Sequence, residues 1–214
     1  MAQTDPGNVT SRTVSGSLYS LIAAAITLTL GFARFILLLL FLLPEDFGVV
    51  TQAMFFVTLA AQLRLPDIDL AIIQRRQVDE PVLRTYFSMK MGLLVASVLL
   101  MAFVTPSIGR FYSTMPLLTV VLLALLSLEI VKGLNGVQEA LLRRSLAFKQ
   151  IAIADIISAV AMTIITPYLA WRGYGAWSLV AEAFIGQFAR GGIVWLFTRV
   201  WWPKLGWNRE IASE

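Results

Sequence analysis

The chain has 214 residues, 58% of them hydrophobic and only 14% charged, with a mean hydropathy of +0.77; a soluble domain carries about a quarter charged residues. Its net charge of +4 and pI near 9.7 come from Lys and Arg set between apolar stretches, where they meet lipid headgroups, so the basic balance does not point to nucleic acid. With no Cys and no His, disulfide and thiolate chemistry, the usual proton shuttle and the commonest metal ligand are all excluded.

Residues 1–16 are polar and are expected to fray or to form an interfacial helix. Six apolar stretches follow, at 18–43, 47–63, 86–104, 115–130, 151–171 and 177–195. Each is near the length of about 20 residues that a helix needs to cross hydrocarbon. The expected fold is an all-α polytopic transmembrane bundle of six spans over 17–202, with 203–214 as a tail. The first stretch is too long for a signal-peptide core and runs into Pro44 without a small-residue cleavage site, so it reads as a retained helix.

Between the first two spans, Pro44-Glu45-Asp46-Phe47-Gly48 is a short acidic turn that predicts an antiparallel hairpin on the outer side. Arg64, Pro66, Asp67 and Asp69 interrupt the end of the second span, and Pro66 predicts a kink or break there. Residues 75–85 form a charged cytoplasmic loop. The fourth helix is expected to continue as 131–147, with Lys132, Glu139, Arg143 and Arg144 along the surface and Leu134, Val137, Leu141 and Leu142 inward. Trp171, Trp177, Trp195, Trp201 and Trp202 stand near span ends, as interfacial aromatics do.

The basic residues alternate between faces. Ten of the 17 fall on one side: Arg12; Arg75, Arg76 and Arg84; Arg143, Arg144 and Lys149; Arg199, Lys204 and Arg209. The opposite side holds only Arg110 and Arg172. The positive-inside rule makes the rich face cytoplasmic and places both termini inside, as in a multi-pass protein of the bacterial inner membrane.

Charges within spans are costly in lipid and mark candidate sites. Arg34 and Arg190 are the deepest, in the first and sixth spans, with Gln187 one turn from Arg190 on its face. One reading makes Arg34, Arg190 and Gln187 a cationic pocket for a phosphate-bearing substrate, since a guanidinium offers phosphate a bidentate fork. The other pairs the arginines internally with Glu182, Glu129 or Asp155. Asp155 and Glu182 are candidates for binding a coupling proton or sodium ion, or are hydrated helix-end carboxylates. Glu129 and Lys132 share a helix face and are expected to form a structural ion pair. Gly186, Gly191 and Gly192 flank Arg190 and predict close helix approach or local unwinding. No phosphate loop, metal box, nucleophile elbow or paired catalytic carboxylate is present, so neither enzyme activity nor a cofactor is expected.

Segments in order along the chain carry a resemblance. They are Leu42-Leu43-Pro44-Glu45-Asp46-Phe47-Gly48, Ala71-Ile72-Ile73-Gln74-Arg75, Ile108-Gly109-Arg110-Phe111-Tyr112, and the run from Ala140 through Arg143-Arg144-Ser145-Leu146-Ala147-Phe148-Lys149. Gly173-Tyr174-Gly175-Ala176-Trp177-Ser178-Leu179-Val180 and Trp202-Pro203 complete them. Together they resemble the Wzx-type polysaccharide flippases of the multidrug/oligosaccharidyl-lipid/polysaccharide exporter superfamily. The resemblance implies transfer of a polyprenyl-diphosphate-linked oligosaccharide across the inner membrane, for lipopolysaccharide or exopolysaccharide biosynthesis. It implies alternating access around a cationic cavity coupled to an ion gradient, with Arg34 and Arg190 suited to the diphosphate or acidic sugars.

The chain departs from the family where Leu37-Leu38-Leu39-Leu40-Phe41-Leu42-Leu43 lacks an Arg before the turn, and where Leu65-Pro66-Asp67-Ile68-Asp69-Leu70 replaces an acidic residue and a glycine. Family members carry about twelve to fourteen spans in two bundles, so six spans correspond to an N-terminal half. With both ends inside, two copies insert in the same orientation, and a homodimer or a partner supplying the second bundle is topologically allowed. The competing readings are a non-transporting membrane scaffold or inactive fragment, and a multidrug or cation exporter of the same superfamily. A membrane glycosyltransferase needs an acidic site in a sizeable loop, and these loops are too short.

Overall fold

The computed structural model describes residues 6–62, 80–145, 147–197 and 206, with side chains from Leu18 onward. Six helices and no strand occur among the described residues: α1 (Pro6–Leu39), α2 (Pro44–Gln62), α3 (Glu80–Phe111), α4 (Leu118–Arg144), α5 (Phe148–Trp171) and α6 (Ala176–Phe197). Five of them are long and apolar enough to cross a membrane. The exception is the 19-residue α2, where Glu45, Asp46, Gln52 and Gln62 dilute the apolar content. The chain is therefore a helical multi-pass membrane protein.

Two helix boundaries differ from the sequence expectation, and a third agrees with it. α1 begins at Pro6, at a first-turn position where proline's missing N–H is not needed, so most of 1–16 is helical and continuous with the first span. α3 begins at Glu80, inside the expected loop, because Glu80 pairs with Arg84 at 2.6 Å one turn on, while Leu83 and Phe87 pack against Val137 of α4. α4 continues past 131 as expected and runs unbroken to Arg144; Val137 and Leu142 are buried on it, and Leu134 and Leu141 pack against the cluster around Val137. The expected break around Pro66, with Arg64, Asp67, Asp69, Arg75 and Arg76, lies outside the described residues, as do Arg199, Trp201, Trp202, Lys204 and Arg209.

α1 packs on α5, α5 on α6, α6 on α4, and α4 on α3; α2 lies against α4, with lesser contacts to α3 and α6. The main core joins α2, α3, α4 and α6. α2 contributes Val50, Ala53, Val57 and Ala60, spaced three and four residues apart on one face, and α4 contributes Leu118, Val121, Leu122, Leu125 and Leu126. Ala53 and Ala60 are fully buried; small side chains let helix backbones approach closely in a membrane, where apolar burial alone gives no net drive.

The first two helices do not form the expected hairpin along their length. Among the described residues α1 and α2 share no backbone contact, because α1 is drawn to α5 and α2 to α4. Among the described residues they meet beside the turn, where the Phe35 and Phe47 rings are edge-on at 6.1 Å and Leu38 and Leu42 pack near Phe47. From that apex the helices diverge.

Asp46 fixes the apex. Its Oδ2 accepts the Leu43 N–H at 3.0 Å, and its Oδ1 accepts the Ala176 N–H at 2.8 Å, tying the α1–α2 turn to the start of α6. Gly175 has φ +51°, and a Cβ there would lie 2.8 Å from the Asp46 Oδ1, so glycine meets both the left-handed backbone and the close approach. Two segments 130 residues apart thus form one junction.

Candidate functional site

Buried and half-buried positions on α1 fall at Ala23, Thr27, Leu30, Gly31, Arg34 and Leu38, a single stripe with helical spacing. Arg34 leaves that stripe to reach α6, with its Nη2 2.9 Å from Glu182 Oε1; the two side chains are 16% and 21% exposed. The contact is made at one point. Glu182 Oε2 is buried without a hydrogen-bond partner among the described residues. A guanidinium carries five N–H donors, so Arg34 retains most of its donor capacity.

Arg190 is coordinated differently. Its Nη1 and Nη2 grip Glu139 of α4 at 2.7 and 3.0 Å, a two-pronged fork, while its Nε donates to Asp155 of α5 at 2.6 Å. Glu139 also accepts from Arg143, one turn along α4, at 2.7 and 3.1 Å. Two guanidinium charges thus meet two carboxylates across three helices. Beside them, Trp195 Nε1 donates to Asn135 Oδ1 at 2.8 Å, and the Asn135 amide donates to the Gln187 backbone carbonyl at 3.5 Å. Asn135 packs directly over Gly191, where a Cβ would collide with it. This is the close approach expected of the glycines around Arg190; the alternative of local unwinding does not occur, since α6 is continuous from Ala176 to Phe197.

The remaining expected site residues fall as follows. Gln187 is half-buried one turn before Arg190, and the contact shown for it runs through its backbone carbonyl. Asp155 is a ligand of Arg190, whereas Glu182 is a ligand of Arg34 on the same helix eight residues earlier. Glu129 and Lys132 lie 2.7 Å apart on α4. Arg34 and Arg190 do not share one pocket; each has its own carboxylate partners. The sequence reading placed Glu139 on the outer surface of α4 and missed it as a partner of Arg190. Its spacing of four residues from both Asn135 and Arg143 marks one polar face, and that face turns toward α6.

Residues 37–214 match the family described as polysaccharide biosynthesis protein. The succinoglycan biosynthesis transport protein ExoT of Rhizobium meliloti (strain 1021) is 30% identical over 192 residues, which cover 85% of this chain and 37% of ExoT. The lipopolysaccharide biosynthesis protein WzxC of Escherichia coli (strain K12) is 24% identical over 186 residues, covering 85% of this chain and 36% of WzxC. The chain thus spans a little over a third of the length of these curated relatives. No solved structure matches it. With the family covering the apex at Asp46, α3 to α6 and the Arg190 network, the chain belongs to the polysaccharide biosynthesis protein family.

Proposed function

We propose that this chain is a transporter bundle, not an enzyme, and that it takes part in moving a polyprenyl-diphosphate-linked oligosaccharide across the bacterial inner membrane, with both termini cytoplasmic. The observation that carries this reading is Arg34, reaching from α1 to a single contact with Glu182 of α6. Apolar exposure on α1 alone reads as lipid-facing: Leu28 is 76% exposed and Phe32 67%. A lipid-facing helix does not normally carry an arginine in its span, because a charge in hydrocarbon is costly. A charge in that setting belongs to a polar path, and a guanidinium with free donors suits a diphosphate.

Arg190 plays the other part. Its charge is met by Glu139 and Asp155, so it braces α4, α5 and α6 and is not the substrate contact. Six helices supply one bundle, and in this reading a second bundle, from another copy or another chain, completes the path, as transporters built from paired repeats require.

The test is flipping of a fluorescent polyprenyl-diphosphate sugar in proteoliposomes, alongside native mass spectrometry in nanodiscs. The expected result is a complex heavier than the 23.7 kDa chain whose flipping is lost in Arg34→Ala and retained in Glu129→Gln. A monomer at every concentration with no flipping overturns transport and leaves a scaffold.

A further inference from the structure

We propose that Glu182 is the carboxylate that Arg34 gives up for an anionic headgroup, and that Glu182 takes up one proton as Arg34 leaves. The inference rests on the reading of Arg34 as the headgroup contact. It is carried by the asymmetry of the pair: Oε1 faces Arg34 at 2.9 Å, while Oε2 is buried with no hydrogen-bond partner among the described residues. Arg34 thus supplies the opposing charge, and its departure leaves an ionised carboxylate uncompensated. An unpaired buried charge is far more costly than a neutral acid, so the carboxylate protonates.

The other carboxylates on the helices packed against α6 are bound elsewhere or exposed. On α5, Asp155 is bound to Arg190; on α4, Glu139 is bound to Arg190 and Arg143, and Glu129 to Lys132. On α2, Asp46 is bound to the Ala176 N–H, and Glu45 is exposed in the first turn. Among the described residues no second carboxylate contacts Glu182, so the site suits a proton, whereas a hard metal cation gathers several oxygen ligands. The exchange balances as follows. The contact between the Arg34 guanidinium and the Glu182 carboxylate breaks, a contact between the guanidinium and a phosphate oxygen forms, and one proton from solvent adds to the carboxylate. Release of the headgroup reverses each step and returns the proton. Headgroup binding and protonation are thereby linked one to one.

The experiment is calorimetric titration of farnesyl diphosphate into the whole protein in nanodiscs, in buffers of different ionisation enthalpy. Near-neutral pH is used, where the diphosphate is almost fully ionised and a buried carboxylate that has lost its partner can still hold a proton. The wild type is expected to take up about one proton per ligand bound, by linkage. Glu182→Gln is expected to bind about tenfold tighter, because no carboxylate competes for Arg34, and to take up no proton. Arg34→Ala is expected to bind at least about tenfold more weakly.

Binding by the wild type without proton uptake, together with weakened binding by Arg34→Ala, overturns the Glu182 exchange and leaves the Arg34 reading standing. Unchanged binding by Arg34→Ala overturns both. Because the wild-type proton count needs no variant, a poorly folding Glu182→Gln does not block the test.

Discussion

Arg190 and Arg34 both reach across helices to carboxylates, yet their charges are met in different ways. Arg190 spends its fork on Glu139 and its Nε on Asp155, in a network that Arg143 closes. Arg34 touches Glu182 once and leaves the second carboxylate oxygen without a partner. The contrast teaches that depth in a span does not by itself identify a substrate contact. A saturated guanidinium is a brace, because any ligand must first displace two carboxylates. An under-coordinated one has donors to give.

Arg190→Ala is the largest expected effect. It strands two half-buried carboxylates and is expected to destabilise the bundle by about 2–4 kcal/mol, read as a fall in melting temperature in detergent. A loss no larger than that of Arg34→Ala breaks the comparison. Next is Asp46→Ala, which frees the Leu43 and Ala176 N–H groups and is expected to cost about 1–3 kcal/mol in the same assay. It sharpens the comparison by loosening the apex beside Arg34 while leaving the Arg190 network intact; Asp46→Asn, which keeps an acceptor oxygen, is expected to recover part of the loss.

Arg34→Ala comes third. Its stability change is expected to stay within about 1 kcal/mol, since one modest contact is lost and Glu182, once alone, takes up a proton and is not left charged. Its flipping rate is nevertheless expected to fall at least about tenfold, equivalent to about 1.4 kcal/mol of barrier. Loss of stability and rate in proportion would make Arg34 a second brace. Arg143→Ala is the smallest: its side chain is 51% exposed, and about 0.5 kcal/mol is expected because the Arg190 fork still holds Glu139. A much larger loss would show that Arg190 does not satisfy Glu139 alone.

The helices were legible because hydrocarbon imposes length and apolarity on each span, and five of the six stretches meet both. The ion pair of Glu129 with Lys132 was legible for a local reason, three residues on one helix. The partners of the deep arginines were only partly so. Glu182 and Asp155 were among the candidates, but which arginine took which depended on α1 packing on α5, from where Arg34 reaches α6. Glu139 was missed because its helix was read as a surface extension, whereas α6 packs along it and turns one polar face inward.

The apex shows the same division. Pro44-Glu45-Asp46-Phe47-Gly48 and Gly173-Tyr174-Gly175-Ala176 stand out in the sequence as separate turns; their union through Asp46 is a contact across 130 residues that no local pattern encodes. What the sequence determined by itself was the number and length of the apolar stretches, the all-helical class, and that charges inside them need partners, because solvation cost acts on each residue. What only the tertiary structure decided was which partners met. The packing of α6 on α4 and α5 saturated Arg190, and the packing of α1 on α5 left Arg34 with one contact, because charge neutralisation depends on distance between helices and not on position along the chain.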